Sequence, residues 1–322
     1  MSPAPSLESL RALPRARLIG APTPMERLER FERVIDSSYP ILVKRDDAIP
    51  FGFGGNKVRK LELVMAAAVE EGADTVITCG GIQSNHCRAT AAAAVRFGMR
   101  CHLVLSGSPP PTLTGNARLD ELFGAEIHFV GGRSDRSPAM ESLAATLRAQ
   151  GSKPVVVPLG ASTPTGAVGL ALGVFEMVEQ GGGPDVIVHA SSSGGTQAGL
   201  LAGLVLNGLH PRVIGISADE AAASLQTTVE RLQRGVLDLA GSKEAGLAAE
   251  VWDGFVGEGY GIPTEASLEA QRLLARSEAL LVDHTYTAKA LAGLIALVRT
   301  RSLPAGSTIL FWHTGGQVGV LA

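Results

Sequence analysis

Short apolar runs rich in β-branched residues alternate along the chain with longer alanine-rich runs, and this alternation most constrains the fold. It predicts strands at residues 41–44, 75–78, 102–105, 126–130, 155–158, 186–190, 213–217, 280–283 and 308–312. It predicts helices between them, such as residues 57–70, 89–97, 137–149, 166–179, 196–206, 265–276 and 288–299. Near-continuous apolar strands separated by helices are typical of parallel sheets covered on both faces. We therefore expect an α/β protein whose ligands bind at the carboxyl ends of the strands.

Charge and composition exclude several classes of protein. The 322 residues carry 28 basic and 31 acidic side chains, so we expect no nucleic-acid partner. The longest apolar stretches are about half the ~20 residues that span a bilayer, so we expect no membrane partner. The N-terminal residues lack a continuous apolar segment, which favours a cytoplasmic location over secretion. Three cysteines without CxxC spacing indicate neither a disulfide framework nor a metal site.

A glycine-rich loop precedes a lysine at the start of a predicted helix. Residues 51–60 read FGFGGNKVRK, so Lys57 lies at the helix N-terminus, where the macrodipole disfavours a cation. Arg59 and Lys60 add positive charge, and both effects lower the pKa of the Lys57 amine. This pattern indicates a neutral, nucleophilic amine. The alternative is a solvated lysine on an amphipathic helix.

Four consecutive polar side chains follow the strand predicted at residues 75–78. They are Gln83, Ser84, Asn85 and His86, in a loop that reads GGIQSNH over residues 80–86. Many donors at a helix N-terminus suit a carboxylate or a ring oxygen. The alternative is a Ser/Asn helix cap with Gln83 and His86 facing water, although four polar residues exceed what a cap needs.

A second glycine-rich turn follows the strand predicted at residues 186–190. Residues 191–199 read SSSGGTQAG, and such small residues let backbone N–H groups approach an anion at the start of the next helix. This composition is typical of a phosphate site, although the Gly-x-Gly-x-x-Gly spacing of dinucleotide sites is absent. A flexible strand–helix turn is the alternative.

Two of the chain's three tyrosines, Tyr260 and Tyr286, lie in the late runs GYGIP and DHTYT. Tyr286 follows a predicted strand, where a phenol could serve a substrate as acid or base. The alternative is a half-buried tyrosine bonded to a backbone carbonyl. Thr314, in HTGG at residues 313–316, also ends a predicted strand and could face the same cleft.

These motifs occur in the order of one known family: GGNKxRKLE, IQSNH, a Ser-Gly-Gly-Thr turn with QAG, GYGIP, YTxK and HTGG. Over about residues 15–316 the chain resembles the D-cysteine desulfhydrase and 1-aminocyclopropane-1-carboxylate (ACC) deaminase family. These are fold type II pyridoxal-phosphate enzymes, similar to the tryptophan synthase β-subunit. The resemblance implies two open, twisted, mostly parallel sheets with helices on both faces. It implies a large domain (1–53 and 168–322), a smaller inserted domain (54–167), and pyridoxal 5'-phosphate in the cleft between them.

The resemblance also implies roles for single residues. Lys57 matches the lysine that bonds covalently to the cofactor, and Asn85 matches the residue that binds the cofactor's ring hydroxyl. Ser84 matches a group of the substrate loop that also takes part in proton transfer. The full sets are Ser193, Gly194, Gly195 and Thr196 for the phosphate; Gln83, Ser84, Asn85 and His86 for the substrate carboxylate; and Tyr260 and Tyr286 as active-site phenols.

Two threonines separate activities within this family. ACC deaminases resemble one another in having Tyr-Glu at one position and His-Leu-Gly at another, and the glutamate pairs with the pyridine nitrogen of the cofactor. The corresponding residues here are Thr287 and Thr314. A hydroxyl partner leaves that nitrogen neutral and moderates the electron sink, which suits loss of a good β-leaving group better than ring opening.

The expected function is therefore β-elimination by a lyase acting on a cysteine-like amino acid, with D-cysteine giving pyruvate, ammonia and sulfide. The family also implies a homodimer. Two alternatives within the same chemistry are an L-cysteate sulfo-lyase, favoured if His284 and Gln317 make the leaving-group pocket polar, and an ACC deaminase. An alternative of a different class is a non-catalytic nucleotide-binding α/β protein.

Overall fold

The computed structural model describes residues 5–322, which form two β-sheets flanked by α-helices. The strands are β1 (Met25–Arg27), β2 (Ile41–Arg45), β3 (Thr75–Gly81), β4 (Arg100–Ser106), β5 (Glu126–Val130), β6 (Pro154–Val156), β7 (Val186–Ser191), β8 (Arg212–Ser217), β9 (Glu250–Trp252) and β10 (Ile309–His313). The helices are α1 (Pro5–Arg11), α2 (Glu29–Val34), α3 (Asn56–Glu70), α4 (Asn85–Arg96), α5 (Gly115–Leu122), α6 (Arg136–Ala149), α7 (Pro164–Glu179), α8 (Gly195–Leu206), α9 (Ala222–Leu239), α10 (Glu265–Glu278) and α11 (Thr287–Thr300). The predicted α/β class is confirmed.

The larger sheet combines the two ends of the chain. Its six strands run in the order β1-β2-β10-β7-β8-β9, and all neighbours are parallel except β1 and β2. Every residue of β7 and β10 is buried, as expected for central strands covered on both faces. One hydrophobic core packs α7, α8 and α9 on one face, and a second packs α10 and α11 on the other.

The smaller sheet comes from one continuous part of the chain. Its four strands run β5-β4-β3-β6 and are all parallel. Side chains of α3 and α4 pack on one face, and Met140, Ala144 and Leu147 of α6 pack on the other. These two sheets confirm the predicted architecture, whereas the predicted domain limits at residues 54 and 168 stay a prediction.

The strand predicted at residues 280–283 is wrong. Only Val282 and Asp283 are buried there, and the Val282 carbonyl accepts a hydrogen bond from Gln271 Nε2 (2.6 Å) instead of a neighbouring strand. Asp283 then accepts the amide N–H groups of Tyr286 (2.9 Å) and Thr287 (3.0 Å), so the segment caps the start of α11. Apolar runs of this length do not by themselves distinguish a strand from other buried segments.

The other predicted elements overlap observed ones, with ends that differ by four residues or fewer. Strands β1 and β9 were not predicted because each has three residues and includes charged side chains. Helix α9, which has a buried apolar face, was also not among the predicted helices. In the described residues, no helix combines the length and apolar character that crossing a membrane requires.

The three cysteines lie in the cores of the smaller sheet as free, buried thiols. Burial raises the pKa of Cys101 to about 12 and also raises the pKa of Cys79 and Cys87. Thiols that stay protonated are weak nucleophiles, so these residues act in packing.

A buried ionic network fixes helix α3 against the larger sheet. Arg59 donates to Asp46 Oδ1 through Nε (2.9 Å) and to Glu176 Oε2 through Nη1 (3.1 Å). Lys44 donates to Glu176 (2.6 Å), and Trp312 Nε1 donates to Asp46 Oδ2 (2.8 Å). These bonds join the first turn of α3 to β2, β10 and α7. They set the position of the residues on the opposite side of that turn.

Candidate active site

A cleft lies between the two sheets, at the carboxyl ends of β3, β7, β8 and β10. Its empty volume, counting the open mouth, is about 770 Å³. The residues that line it are Asn56, Lys57, Gly80, Gly81, Ser84, Asn85, His86, Arg133, Arg136, Leu159, Gly160, Ala190, Ser191, Ser192, Ser193, Gly194, Thr196, Asp219, Tyr260, Tyr286, Thr314 and Gly315. The structure therefore brings together residues from all of the sequence motifs.

Lys57 is the second residue of α3 and lines the cleft. Burial lowers the pKa of its amine to about 8, so the predicted direction is confirmed. The cause in the structure is burial, which the sequence did not predict, and Arg59 is held in the ionic network on the other side of the turn. Gly55 precedes the helix at φ +98°, and a Cβ there would lie 2.9 Å from the Thr314 carbonyl oxygen. Only glycine fits this approach of the Lys57 loop to β10.

The turn after β7 forms an anion site at the start of α8. Gly194 adopts a left-handed conformation (φ +79°), and α8 begins at Gly195. The Gly195 N–H donates to Ser162 Oγ (3.3 Å), and the N-cap residue offers no side chain to the N–H groups that follow, which leaves those for a ligand. The buried Ser191 hydroxyl has no hydrogen-bond partner in the described part of the chain. Ser193 and Thr196 line the same end of the cleft. The alternative of a merely flexible turn does not account for this arrangement.

Lys60 lies beneath the anion site, and sequence reasoning assigned it no such position. Its Nζ donates to the Gly160 carbonyl and to Ser162 Oγ, both at 3.1 Å. A Cβ added to Gly195 would lie 2.8 Å from that Nζ. Lys60 is fully buried, and none of the described carboxylates forms an ion pair with it. Burial, with Lys57 nearby, lowers the pKa of Lys60 well below its usual value, and an anionic ligand beside its Nζ would favour the charged form. The available signal was its spacing, since Lys57 and Lys60 lie three residues apart on one helix face.

The loop after β3 both caps a helix and lines the cleft, so each of the two interpretations of its sequence is partly met. Ser84 is the N-cap of α4, its Oγ accepts the Cys87 N–H (3.2 Å), and it also lines the cleft. His86 does not face water: it is buried, its Nε2 contacts Thr78 Oγ1 (2.7 Å), and it lines the cleft. Burial, with Lys57 and Lys60 nearby, holds the pKa of His86 well below its usual value, so the ring is neutral.

Asn85 lines the cleft and Gln83 does not. Asn85 Oδ1 accepts from Asn116 Nδ2 (3.1 Å), which leaves the Asn85 amide N–H₂ as a donor. Gln83 Oε1 accepts the Asn116 N–H (2.8 Å), and its Nε2 donates to the Thr114 carbonyl (3.1 Å). Gln83 therefore positions the start of α5 behind the loop.

Tyr260 and Tyr286 meet in the cleft with their hydroxyls in contact and their rings edge to face, with centroids 5.7 Å apart. The partner of each phenol is thus the other phenol and not a backbone carbonyl. Burial raises the pKa of Tyr260 to about 12 and raises the pKa of Tyr286 well above its usual value. Both phenols are protonated at neutral pH and can donate a proton.

The two threonines singled out by comparison within the family have different environments. Thr314 lines the cleft, and its carbonyl accepts the Asn56 N–H (3.0 Å). Thr287 does not line it, because its hydroxyl donates to Asp283 Oδ1 (2.7 Å). His284 and Gln317 are also absent from the lining, and Gln317 Nε2 donates to the backbone carbonyls of Asp47 and Phe53. The structure therefore does not place those two side chains in the pocket.

Sequence reasoning missed two arginines that line the cleft. Arg133 lies 3.1 Å from Asp219 Oδ2, with its guanidinium carbon 4.9 Å from the centre of the Tyr260 ring. Arg136, the first residue of α6, is buried and donates to Ser106 Oγ through Nε (3.1 Å). No carboxylate of residues 5–322 forms an ion pair with Arg136. The only signal was a pair of basic residues shortly after β5, one in the loop and one at the start of α6.

Comparisons with known proteins agree with this geometry. Residues 16–315 match the model of a family described as pyridoxal-phosphate dependent enzyme. A solved structure of an ACC deaminase homologue is 34% identical, with a TM-score of 0.92 over 100% of this chain and 97% of that one. Threonine deaminase isoform 2 from Solanum lycopersicum is 17% identical (TM-score 0.70, covering 97% and 83%). An L-serine ammonia-lyase from Rhizomucor miehei is 17% identical (TM-score 0.68, covering 94% and 95%). The last two show similarity of fold.

Proposed function

The chain belongs to the family of pyridoxal-phosphate dependent enzymes, and on that basis we propose that it is a lyase that eliminates the β-substituent of a cysteine-like amino acid. The observation that carries the proposal is one cleft with three parts. They are an amine of lowered pKa (Lys57), a helix start suited to an anion over the buried Lys60 amine, and a pair of protonated phenols. D-Cysteine is the proposed substrate, and pyruvate, ammonia and sulfide are the products.

The residues of the cleft fit pyridoxal phosphate. Lys57 would bond to its aldehyde carbon, and Asn85 would donate to its ring hydroxyl. The phosphate would bind at the start of α8, where the unpartnered Ser191 hydroxyl and the N–H groups after Gly195 favour an anion, and a bound anion would favour the charged form of Lys60. The residues that would hold it are Ser193, Gly194, Gly195 and Thr196. When bound, pyridoxal phosphate supplies an electron sink that acidifies the Cα–H bond of an amino acid.

The lining of the cleft favours elimination over ring opening. Asp219 is the only carboxylate among the lining residues, and Arg133 is ion-paired with it. Thr314, in contrast, offers a hydroxyl at the position proposed for the ring nitrogen. A neutral partner moderates the electron sink, and this is sufficient when the β-group is a good leaving group.

Different side chains of the cleft would bind the substrate carboxylate, take the α-proton and donate a proton to the leaving group. Ser84 and the first turn of α4, together with Asn85 and His86, would bind the substrate carboxylate. Lys57 would take the α-proton, and Ser84 would assist. The Tyr260–Tyr286 pair would donate a proton to the departing sulfur. Water converts the released aminoacrylate to pyruvate and ammonia, so D-cysteine and one water give pyruvate, ammonia and hydrogen sulfide.

A second candidate substrate is L-cysteate, which would release sulfite. The observation that favours it is Arg136, a buried guanidinium that lines the cleft without an acidic partner. An unpaired buried cation would offset the charge of a sulfonate side chain. We also propose that the enzyme is a homodimer, which sedimentation equilibrium would test.

A panel of amino acids tests the proposal. The purified holoenzyme is given D- and L-cysteine, L-cysteate, β-chloroalanine and ACC, and pyruvate and 2-oxobutanoate are measured. We expect pyruvate from D-cysteine and β-chloroalanine, and no cofactor absorbance in Lys57→Ala. Faster release of 2-oxobutanoate from ACC would show that ring opening is the reaction. Adenine-nucleotide binding by a protein without cofactor absorbance would favour the non-catalytic alternative.

A further inference from the structure

Three potential metal ligands meet on one face of the smaller sheet, outside the cleft. They are His102 of β4 and Glu126 and His128 of β5. The parallel register sets His102 opposite Glu126. Glu126 and His128 are two residues apart on one strand, so their side chains point to the same face. One ligand atom from each residue lies within 4.8 Å of the other two.

The distances between these atoms are close to those of a small tetrahedral metal site. His102 Nδ1 lies 3.0 Å from His128 Nε2 and 3.6 Å from a carboxylate oxygen of Glu126. Bonds of about 2.0–2.1 Å at a tetrahedral zinc ion put neighbouring ligand atoms about 3.3 Å apart. The two distances fall on either side of that value, so small side-chain movements would accommodate an ion.

The chemistry of the three donors suits a divalent ion of intermediate softness. His102 is buried, and its ring Nδ1 faces the donor atoms of the other two residues. Glu126 is exposed and contributes a negative charge. The guanidinium of Arg100, on the same face of β4, donates to Ser152 Oγ (2.5 Å). Two imidazoles and one carboxylate are a common set for zinc, with a fourth position for water.

We propose that His102, Glu126 and His128 form a zinc-type binding site that joins β5 to β4. Strand β5 is the edge of its sheet and pairs only with β4. It ends at Val130, and the chain then enters the loop that carries Arg133 and Arg136 into the cleft. A metal ion across β4 and β5 would hold the strand from which this loop starts. Its effect would therefore be on stability.

Zinc titration of the holoenzyme tests the site. The protein is treated with a chelator, dialysed and titrated with Zn²⁺ by calorimetry, and bound metal is measured by elemental analysis. We expect one Zn²⁺ per chain, and an affinity at least about 10-fold weaker in His128→Gln and in Glu126→Gln. His210→Gln is the matched control, because His210 is exposed and outside the cluster. Zn²⁺ should raise the melting temperature of the wild type and of this control, and not that of His128→Gln.

Two results would overturn the proposal. One is the absence of bound Zn²⁺ in the wild-type holoenzyme at micromolar metal. The other is unchanged Zn²⁺ affinity in both His128→Gln and Glu126→Gln, which would locate the ion elsewhere and leave the two histidines as a hydrogen-bonded pair. Circular dichroism and cofactor absorbance confirm that each variant is folded and loaded, so that lost binding reports on the site.

Discussion

The Tyr260 hydroxyl contacts the Tyr286 hydroxyl in the cleft, and the two rings are edge to face. In such a contact one hydroxyl donates to the other, and the second keeps its proton for a further acceptor. Burial keeps both phenols protonated, since it raises the pKa of each above its ordinary value. We therefore expect the pair to act as one proton donor, and removal of either hydroxyl to interrupt it.

We predict that Tyr286→Phe lowers kcat for D-cysteine by about 10²-fold, the lower end of general-acid contributions. The sulfur of D-cysteine departs more readily when the enzyme donates a proton to it, whereas the chloride of β-chloroalanine departs as an anion without a proton. The same variant should therefore lose much less activity on β-chloroalanine. Pyruvate formation from both substrates measures the difference. Equal losses on the two substrates would show that the phenol acts in binding or packing instead.

Lys57 should control how pH affects loading of the cofactor. Burial lowers its pKa to about 8, from an ordinary value near 10.5. Below about pH 8 the group is a protonated ammonium without a lone pair, and above it the free amine predominates. The rate at which the apoenzyme bonds covalently to pyridoxal phosphate should therefore rise with pH to a midpoint near 8. Rapid-mixing absorbance measures this rate, and a midpoint near 10.5 would contradict the burial of Lys57.

Lys60 should contribute to the affinity for pyridoxal phosphate only by binding the phosphate group of the cofactor. A hydrogen bond to a charged group contributes about 1.5–3 kcal/mol, so Lys60→Met should weaken pyridoxal phosphate binding about 10- to 100-fold. Pyridoxal, which has no phosphate, should bind the variant and the wild type alike. Equilibrium dialysis of the apoenzymes measures both ligands. Lys153→Met, on an exposed lysine, is the control and should change neither.

Much of the site could be predicted because its residues lie in short loops directly after strands. Ser84, Ser193 and Thr314 reach the cleft since the carboxyl ends of parallel strands meet at one edge. Residues that reach the cleft because distant segments pack together were not predicted from the sequence. Lys60 reaches the anion site because α3 and α8 both pack against α7. Arg136 reaches the cleft from the start of α6, which packs on the opposite face of the smaller sheet from α3.

Local sequence also left the direction of some side chains undetermined. Gln83 belongs to the same polar run as Asn85, yet its hydrogen bonds with the start of α5 turn it from the cleft. His102 and His128 are 26 residues apart and meet only through the register of β4 and β5. Neither outcome follows from spacing along the chain. Both depend on which segments become neighbours in the fold.

Arg59 should be among the most sensitive positions for stability. Its guanidinium bonds both Asp46 and Glu176, and all three are buried or half-buried. Although burial raises the pKa of Glu176, hydrogen bonds and charge from Arg59 and Lys44 lower it to about 2. Arg59→Met leaves two carboxylates with one cation, and breaking a buried pair in this way costs about 3–5 kcal/mol. Urea unfolding of the holoenzyme at pH 7 measures the loss.

The pH dependence distinguishes this electrostatic loss from lost packing. Because the folded-state pKa of Glu176 is below its unfolded value of 4.5, its contribution is present above pH 4.5 and declines as pH falls towards 2. The wild type should therefore lose stability over this range, and Arg59→Met should lose less because its Glu176 has a weaker partner. Arg299→Met removes an exposed ion pair with Glu269. It should lower the free energy of unfolding by less than about 1 kcal/mol, both at pH 7 and below pH 4.5. If Arg59→Met and the wild type declined in parallel with pH, packing of the arginine stem would account for its effect.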